Sequence, residues 1–302
     1  MAGAALAYGQ ECGAMAPASI LDEEGHSLSS RACALPAAVG SAPCVAHRGD
    51  SAERRIRSVP EETPVALTYN GASYAVMMAT PSDLVDYAIG FSLAEGVIGH
   101  PVDIASLDVI SHDAGVELRM WLAPAQAATF FERRRRLTGP TGCGLCGIES
   151  LAAALPEVRP VSEGIAVSHQ TIMTALSALV SAQTLNGATR AVHAAGFFVP
   201  GSGLVSVRED VGRHNALDKL IGDLARRDIA GATGIVMLTS RVSVDMVHKA
   251  AVLGASIIVA ISAPTALAIR TAERAGVTLV AVARDDGFEV FTHPHRVCAE
   301  RA

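Results

Sequence analysis

The feature that most constrains the fold is a regular alternation of short apolar runs and amphipathic segments between residues 235 and 291. Strands are predicted at residues 235–239, 255–262, 277–283 and 288–291, and helices at 243–253 and 265–275. Gly254 and Gly276 close the two helices, as glycine commonly does. Such alternation favours βαβ crossovers, and it therefore predicts an α/β fold with a sheet that is parallel in part.

The preceding residues, 55–137, are expected to form a small α+β module. Asn70 and Gly71 suit a tight hairpin turn between strands at 65–69 and 73–79. A helix should follow, capped by Thr80 or Ser82, and should run to about Ile98. Further strands are predicted at 107–111, 116–122, 192–199 and 204–208. Further helices are predicted at 125–137, 148–155, 168–184 and 209–227.

Composition bounds the remaining possibilities. Residues 1–54 are rich in Ala, Gly, Ser and Pro and are expected to be a mobile extension, whereas 138–302 should form the main domain. A net charge of −6 argues against general nucleic-acid binding. The longest uncharged run, 250–269, is interrupted by Gly, Ser and Pro, so no membrane span is predicted. Together with unpaired thiols, this favours a soluble protein of the reducing cytoplasm.

Two of the six cysteines, Cys143 and Cys146, form a Cys-x-x-Cys pair in a glycine-rich loop. A structural zinc site needs two more ligands, and the other four cysteines are scattered, so no metal site is predicted. A thioredoxin-like redox site expects a strand before the pair. A thiol that carries a group is the third interpretation, since amides of a following helix favour thiolate. Two buried structural thiols are the fourth.

Zinc deaminases also carry a Cys-x-x-Cys pair, preceded directly by proline. Here two residues separate Pro140 from Cys143, and no His-x-Glu occurs upstream. The ligand histidine and the general-base glutamate of that chemistry are therefore missing. Deamination is excluded, although a deaminase-like scaffold can persist without it.

The densest polar run of the C-terminal half spans 208–219, where a strand passes into a helix. Helix amides with Arg213 and His214 suit a phosphate, and Asp210 could accept hydrogen bonds from a guanine-like edge. A solvated helix start explains the run equally well. Polar turns at 239–243, 262–265 and 283–287 follow predicted strands, and ligands bind at such strand ends in open α/β sheets.

Five motifs appear in an order that resembles a known family. They are Thr-Gly-x-Cys-Gly-x-Cys-Gly, Arg-Glu-Asp-Val-Gly-Arg-His-Asn-Ala-x-Asp-Lys, Thr-Ser-Arg-x-Ser-x-Asp-Met-Val-x-Lys, Ile-Ser-Ala-Pro-Thr-Ala-Leu-Ala and Phe-Thr-His-Pro-x-Arg. Over about residues 55–298 the chain thus resembles the formate dehydrogenase accessory sulfurtransferases. The resemblance implies a main domain with the three-layer fold of cytidine deaminases, without their zinc site.

The resemblance also implies a function. Cys143 would accept persulfide sulfur from a cysteine desulfurase, assisted by Cys146. The sulfur would pass to a molybdenum or tungsten bis-guanine-dinucleotide cofactor, the cargo that formate dehydrogenase requires. A homodimer is implied as well. The implied cofactor contacts are Val282, Ala283, Arg284, Asp285, Asp286 and Gly287.

Two other functions stay open at this point. The protein could hold the cofactor as a chaperone without a covalent sulfur step. It could also be a thiol oxidoreductase that cycles a Cys143–Cys146 disulfide. A persulfide on Cys143 would separate sulfur transfer from both.

Overall fold

The computed structural model of the chain describes residues 34–137 and 160–298. The first segment contains a hairpin, a second sheet and two helices. In chain order these are β1 Val39–Arg48, β2 Ser51–Pro60, β3 Thr63–Tyr69, β4 Ala72–Ala79, α1 Leu84–Ala94, β5 Ile104–His112, β6 Gly115–Leu122 and α2 Pro124–Leu137.

The second segment contains the larger sheet and its helices. In chain order these are β7 Val167–Ser168, α3 His169–Ala182, α4 Thr184–Thr189, β8 His193–Val199, β9 Gly203–Asp210, α5 Arg213–Arg226, β10 Ile235–Leu238, α6 Val244–Val252, β11 Ile257–Ala260, α7 Ala266–Ala275, β12 Thr278–Arg284, β13 Gly287–Val290 and β14 Val297–Cys298.

The larger sheet has six strands in the order β13-β12-β11-β10-β8-β9. Strands β10, β11 and β12 pair in parallel, whereas β13, β8 and β9 join antiparallel. The expected parallel portion is therefore confirmed and comprises three strands. Their carboxyl ends lie at one edge of the sheet.

Helices cover both faces of this sheet. Helix α3 buries Ile172 and Leu179 against one face, and α5, α6 and α7 cover the other. All residues of β10 and β11 are buried, because central parallel strands face helices on both sides. The mixed α/β fold predicted from the alternation is confirmed.

The four-stranded sheet, in the order β4-β3-β6-β5, packs against α1. Helix α1 lies between this sheet and α5, and it is buried on nearly all sides. Its sequence is accordingly mostly apolar, as expected of an enclosed helix, and Asp86 and Ser92 are buried polar exceptions. We call the part formed by residues 34–137 the N-terminal module.

Two glycines allow α1 and α5 to cross at close range. A Cβ atom at Gly90 of α1 would overlap the backbone carbonyl of Asp218. A Cβ atom at Gly222 of α5 would overlap the backbone carbonyl of Asp86. The obstacles are backbone atoms, which cannot rotate away as a side chain can. Larger residues would therefore force the helices apart.

The predicted hairpin at Asn70 and Gly71 is confirmed. Both residues have positive φ, at 49° and 75°, and they join β3 to β4. This is the backbone conformation that a tight primed turn requires, and Asn and Gly adopt it at low cost.

The start of α1 differs from the prediction. Its N-cap is Asp83, with φ of 52° and no side-chain cap bond, so neither Thr80 nor Ser82 caps the helix. Thr80 is instead fully buried and bonds to the segment 210–219. The helix ends at Ala94 rather than near Ile98.

The last part of the expected mobile extension is a β-hairpin. Strands β1 and β2 pair from Val39 opposite Pro60 to Arg48 opposite Ser51. Backbone hydrogen bonds form this ribbon although its side chains are largely exposed. Small and charged residues mask any apolar alternation here. The expectation of an extension is therefore wrong for 39–54, and residues 1–33 lie outside the described residues.

One predicted helix begins later than expected, and another lies outside the described residues. The helix expected from Glu209 begins at Arg213, because Glu209 and Asp210 complete β9 opposite Ala194 and His193. The helix expected at 148–155 lies outside the described residues. The proposed boundary between residues 137 and 138 stays a prediction.

We expect Gly90→Ala to lower the free energy of unfolding by about 2–3 kcal/mol, because the new methyl group meets backbone of α5. Urea unfolding of the variant and the wild type measures this difference. Gly187→Ala is the matched control: apart from its chain neighbours and the backbone of its own helix α4, nothing lies within 4 Å of its Cβ position. That change should stabilise by up to about 1 kcal/mol. Equal stability of the two variants would contradict the close crossing.

Candidate functional site

Cys143 and Cys146 lie outside the described residues. The chain segment that follows them is described from residue 160. There the Val161 N–H donates to the Ala275 carbonyl at 2.9 Å, beside the end of α7. The segment thus rejoins the main sheet at the edge where β12 begins.

The opposite edge carries the polar turns that the sequence analysis identified. The Val242 N–H donates to the Ala263 carbonyl at 3.3 Å, and the Thr265 N–H donates to the Val242 carbonyl at 3.0 Å. The Val282 N–H donates to the Ser262 carbonyl at 3.3 Å. The turns after β10, β11 and β12 are therefore joined to one another. We call residues 210–214, 239–243, 262–265 and 282–287 the rim.

The segment 282–287 comprises the end of β12, the turn at residues 285 and 286, and the first residue of β13. Ala283 is buried in the core, whereas Arg284, Asp285 and Asp286 are exposed. The Arg284 guanidinium donates to the carbonyls of Ile261 and Ala283. Of this segment, the charged side chains of 284–286 are thus accessible to a ligand at the rim.

The start of α5 supplies Arg213 and His214. Its N-cap is Gly212, and the N-cap of α6 is Ser243; neither helix has a side-chain cap bond. Three polar atoms beside these helix ends, Arg213 Nε, His214 Nε2 and Ser243 Oγ, are buried without a hydrogen-bond partner among the described residues. Buried polar atoms are normally bonded, so this group fits a ligand that supplies acceptors.

The charges around His214 are mixed: Arg213 and Lys249 are cationic neighbours, whereas the Asp245 carboxylate lies 3.8 Å from His214 Nε2. Burial, then the charges of Arg213 and Lys249, lowers the pKa of His214. The pKa of His193 is lowered by burial and by Arg213. Two helix N-termini add positive potential, because their free amides point toward the rim.

Asp210 is not available to a ligand. It is fully buried, and its Oδ1 accepts from the Gly212 N–H at 2.7 Å and from Asn215 Nδ2 at 2.9 Å. Its Oδ2 accepts from the Thr80 N–H at 3.0 Å and lies 2.6 Å from Lys219 Nζ. The hypothesis that Asp210 contacts a guanine edge is therefore wrong for this arrangement; Asp210 is a structural residue.

Sequence reasoning missed the residues that support this turn. Asn215, Asp218 and Lys219 are buried on the inner side of α5. Lys249 Nζ lies 2.6 Å from Asp218 Oδ1, and burial raises the pKa of Asp218 to about 6. The available signal was their helical spacing, which puts three polar residues on one face.

Glu209, the acidic neighbour of Asp210 in the same motif, is also structural. Its two carboxylate oxygens accept from the Leu185 N–H at 2.7 Å and the Asn186 N–H at 2.8 Å. These are first-turn amides of α4, so Glu209, which lies on β9, caps the N-terminus of that helix.

The rim is long. Its parts around Arg213 and His214 and around Arg284 lie on the same edge, but β12 and β9 are four strand steps apart. At about 4.8 Å a step, this separation is about 19 Å. The structure thus brings the predicted contacts to one edge without bringing them into contact.

Two features are absent from residues 34–137 and 160–298. No group of three or more His, Cys, Asp or Glu side chains is placed to hold a metal ion. No helix combines the length and apolar character that crossing a membrane requires.

A family model and several curated proteins match the chain. The model, described as the FdhD/NarQ family, matches residues 60–298. A protein of Agrobacterium fabrum named Sulfur carrier protein FdhD is 52% identical over 242 residues, covering 80% of this chain and 89% of its own. A Xanthomonas campestris protein of that name is 46% identical and covers 83% and 89%.

A solved structure matches as well. The crystal structure of a candidate formate dehydrogenase accessory protein from Desulfotalea psychrophila superposes with a TM-score of 0.68 at 24% identity. It covers 86% of this chain and 99% of its own. At this identity the match supports the fold.

We expect stability to fall as the pH drops below about 6.5, the ordinary histidine pKa. The unfolded chain binds a proton at His214 more readily than the folded protein does, because folding lowers this pKa. The stability contributed by neutral, buried His214 is thus fully present above about pH 6.5. It is lost as the pH falls toward the lower pKa that His214 has in the folded protein. Thermal unfolding of His214→Gln should show a flatter pH dependence than wild type.

The control for this experiment is His47→Gln, which removes an exposed imidazole of β1. That variant should retain the wild-type pH dependence. A slope in His214→Gln identical to the wild-type slope would contradict the burial of His214 beside Arg213.

Proposed function

The chain belongs to the FdhD/NarQ family, and from that premise we propose that it is a sulfurtransferase that carries persulfide sulfur on Cys143. The observation that carries the proposal is the Cys-Gly-x-Cys-Gly loop in a chain whose relatives are named sulfur carriers. A cysteine desulfurase would supply the sulfur. The recipient would be a molybdenum or tungsten bis-guanine-dinucleotide cofactor destined for formate dehydrogenase.

The first step follows thiol chemistry. The Cys143 thiolate attacks the terminal sulfur of the donor persulfide, the donor S–S bond breaks, and the donor leaves as a thiolate that takes up a proton. Cys143 then carries the terminal sulfur. That sulfur becomes sulfide at the cargo by taking two electrons. A reduced metal in the cargo or the Cys146 thiol can supply them, the latter leaving a Cys143–Cys146 disulfide.

The rim supports a phosphate-bearing cargo. Unpartnered atoms of Arg213, His214 and Ser243 lie beside two helix N-termini, where diphosphate oxygens would find donors. Arg284 lies farther along the same edge.

The remaining features stay proposals. They are the cytoplasmic location, the homodimer, the cytidine-deaminase-like arrangement of the main domain and the choice between molybdenum and tungsten. A cofactor-binding chaperone is the second candidate function, and the unpartnered polar atoms of the rim favour it independently of the cysteines. It differs in one respect: a chaperone would activate formate dehydrogenase without Cys143.

Loading with a cysteine desulfurase and cysteine should add sulfur to the wild-type protein and none to Cys143→Ala. Intact-mass spectrometry measures the added sulfur. Cys44→Ser and Cys298→Ser are the matched controls, because both remove free thiols, and both should load as wild type does. Equal loading of Cys143→Ala would exclude Cys143 as the carrier, and activation of formate dehydrogenase by Cys143→Ala would favour the chaperone.

Replacing Arg213, His214 and Arg284 together with Ala should weaken GDP binding at least about tenfold. Each lost charge-assisted hydrogen bond is worth about 1.5–3 kcal/mol, and about 1.4 kcal/mol is tenfold. Calorimetric titration at constant salt measures the affinity. Arg119→Ala, on β6 and paired with Glu117 at 2.8 Å, is the control and should bind as wild type does. Unchanged affinity in the triple variant refutes the rim as the nucleotide site.

A further inference from the structure

The N-terminal module reaches the rim at Thr80, directly after β4. Thr80 is fully buried, and all of its polar groups bond to the segment 210–219. Its N–H donates to Asp210 Oδ2 at 3.0 Å, and its carbonyl accepts from Lys219 Nζ at 2.9 Å. Its hydroxyl Oγ1 accepts from the Val211 N–H at 3.1 Å. One residue of the module thus contacts the strand end, the turn and the helix.

The hydroxyl is the group that holds the backbone of the turn. The N–H of Val211 donates to Thr80, and the N–H of Gly212 donates to Asp210 Oδ1 at 2.7 Å. The N–H groups of both residues between β9 and α5 therefore donate to buried acceptors. Their orientation sets the direction in which α5 begins, and hence where Arg213 and His214 lie.

The module also contacts Asn215 in the first turn of α5. Asn215 Nδ2 donates to the Met78 carbonyl at 2.8 Å, and the Tyr87 hydroxyl donates to Asn215 Oδ1 at 3.0 Å. Arg213 and His214 thus lie between two sets of contacts made by the N-terminal module.

We propose that Thr80 is a positioning residue of the rim, and that through it the N-terminal module sets the affinity for a guanine-nucleotide anion. The ligand in this statement rests on the proposed function. Without the hydroxyl, the Val211 N–H would be buried without an acceptor, a costly arrangement that the turn relieves by moving. Movement of the turn displaces Arg213 and His214 from the ligand.

The test compares Thr80→Val, Thr80→Ser and a control, Thr68→Val. Thr68 is also buried in the N-terminal module, but its hydroxyl donates to Glu117 at 2.8 Å, away from the rim. Hydrogen exchange of the free proteins reports the turn, and titration with GDP reports the ligand.

In Thr80→Val, amides 211–214 should exchange faster, and GDP should bind about fivefold to tenfold more weakly. Thr80→Ser keeps the acceptor and should match wild type in both measurements, as should Thr68→Val. Unchanged exchange at 211–214 in Thr80→Val overturns the proposal, and so does faster exchange with unchanged GDP affinity.

If Thr80→Val does not fold, the wild-type protein decides. Added GDP should slow the exchange of amides 78–80 together with 211–214, because the two segments are coupled. Protection confined to 211–214 overturns the proposal. Failure of the wild type to bind GDP contradicts the proposed function instead. The positioning role of Thr80 is then judged without ligand: amides 211–214 should exchange at the same rate in free Thr80→Ser and free wild type, and faster exchange in Thr80→Ser overturns it.

Discussion

The rest of the structure depends on the crossing of α1 and α5. Gly90 and Gly222 bring the two backbones together, so water has no room between them. Charges beside the crossing must therefore be paired within the protein. Asp86 pairs with Arg208 at 2.7 Å and with Arg226 at 2.6 Å. Backbone contact and paired charge together set the position of the N-terminal module on the main sheet.

Helix α5 connects this crossing to the rim. Its middle packs on α1 at Gly222, whereas its first residues, Arg213 and His214, lie at the carboxyl edge of the parallel strands. Because a helix is stiff, the crossing restricts where those two side chains can be. The middle and the first turn of one helix thus relate the position of the N-terminal module to the geometry of the rim.

The sequence predicts the main sheet well because β10, β11 and β12 are buried on both faces and read as continuous apolar runs. It also predicts the shared edge, since the carboxyl ends of parallel strands must lie together. The hairpin β1–β2 escapes prediction because its strands are held mainly by backbone pairing and most of its side chains are exposed. Asp210 is misassigned because a charge in a motif looks the same whether it faces inward or outward. Its partner Thr80 comes from a distant part of the chain.

In the segment 208–219, the buried pair of Asp210 and Lys219 holds the turn from which Arg213 extends to the rim. A buried ion pair is rarely a source of stability, and an apolar pair of similar volume often does as well. An apolar pair, however, could not accept the N–H groups of Thr80 and Gly212, as Asp210 does. An unpaired carboxylate would accept them but would repel an anion at the rim. Lys219, 2.6 Å from Asp210, offsets that charge, so the turn is held without adding net negative charge beside Arg213.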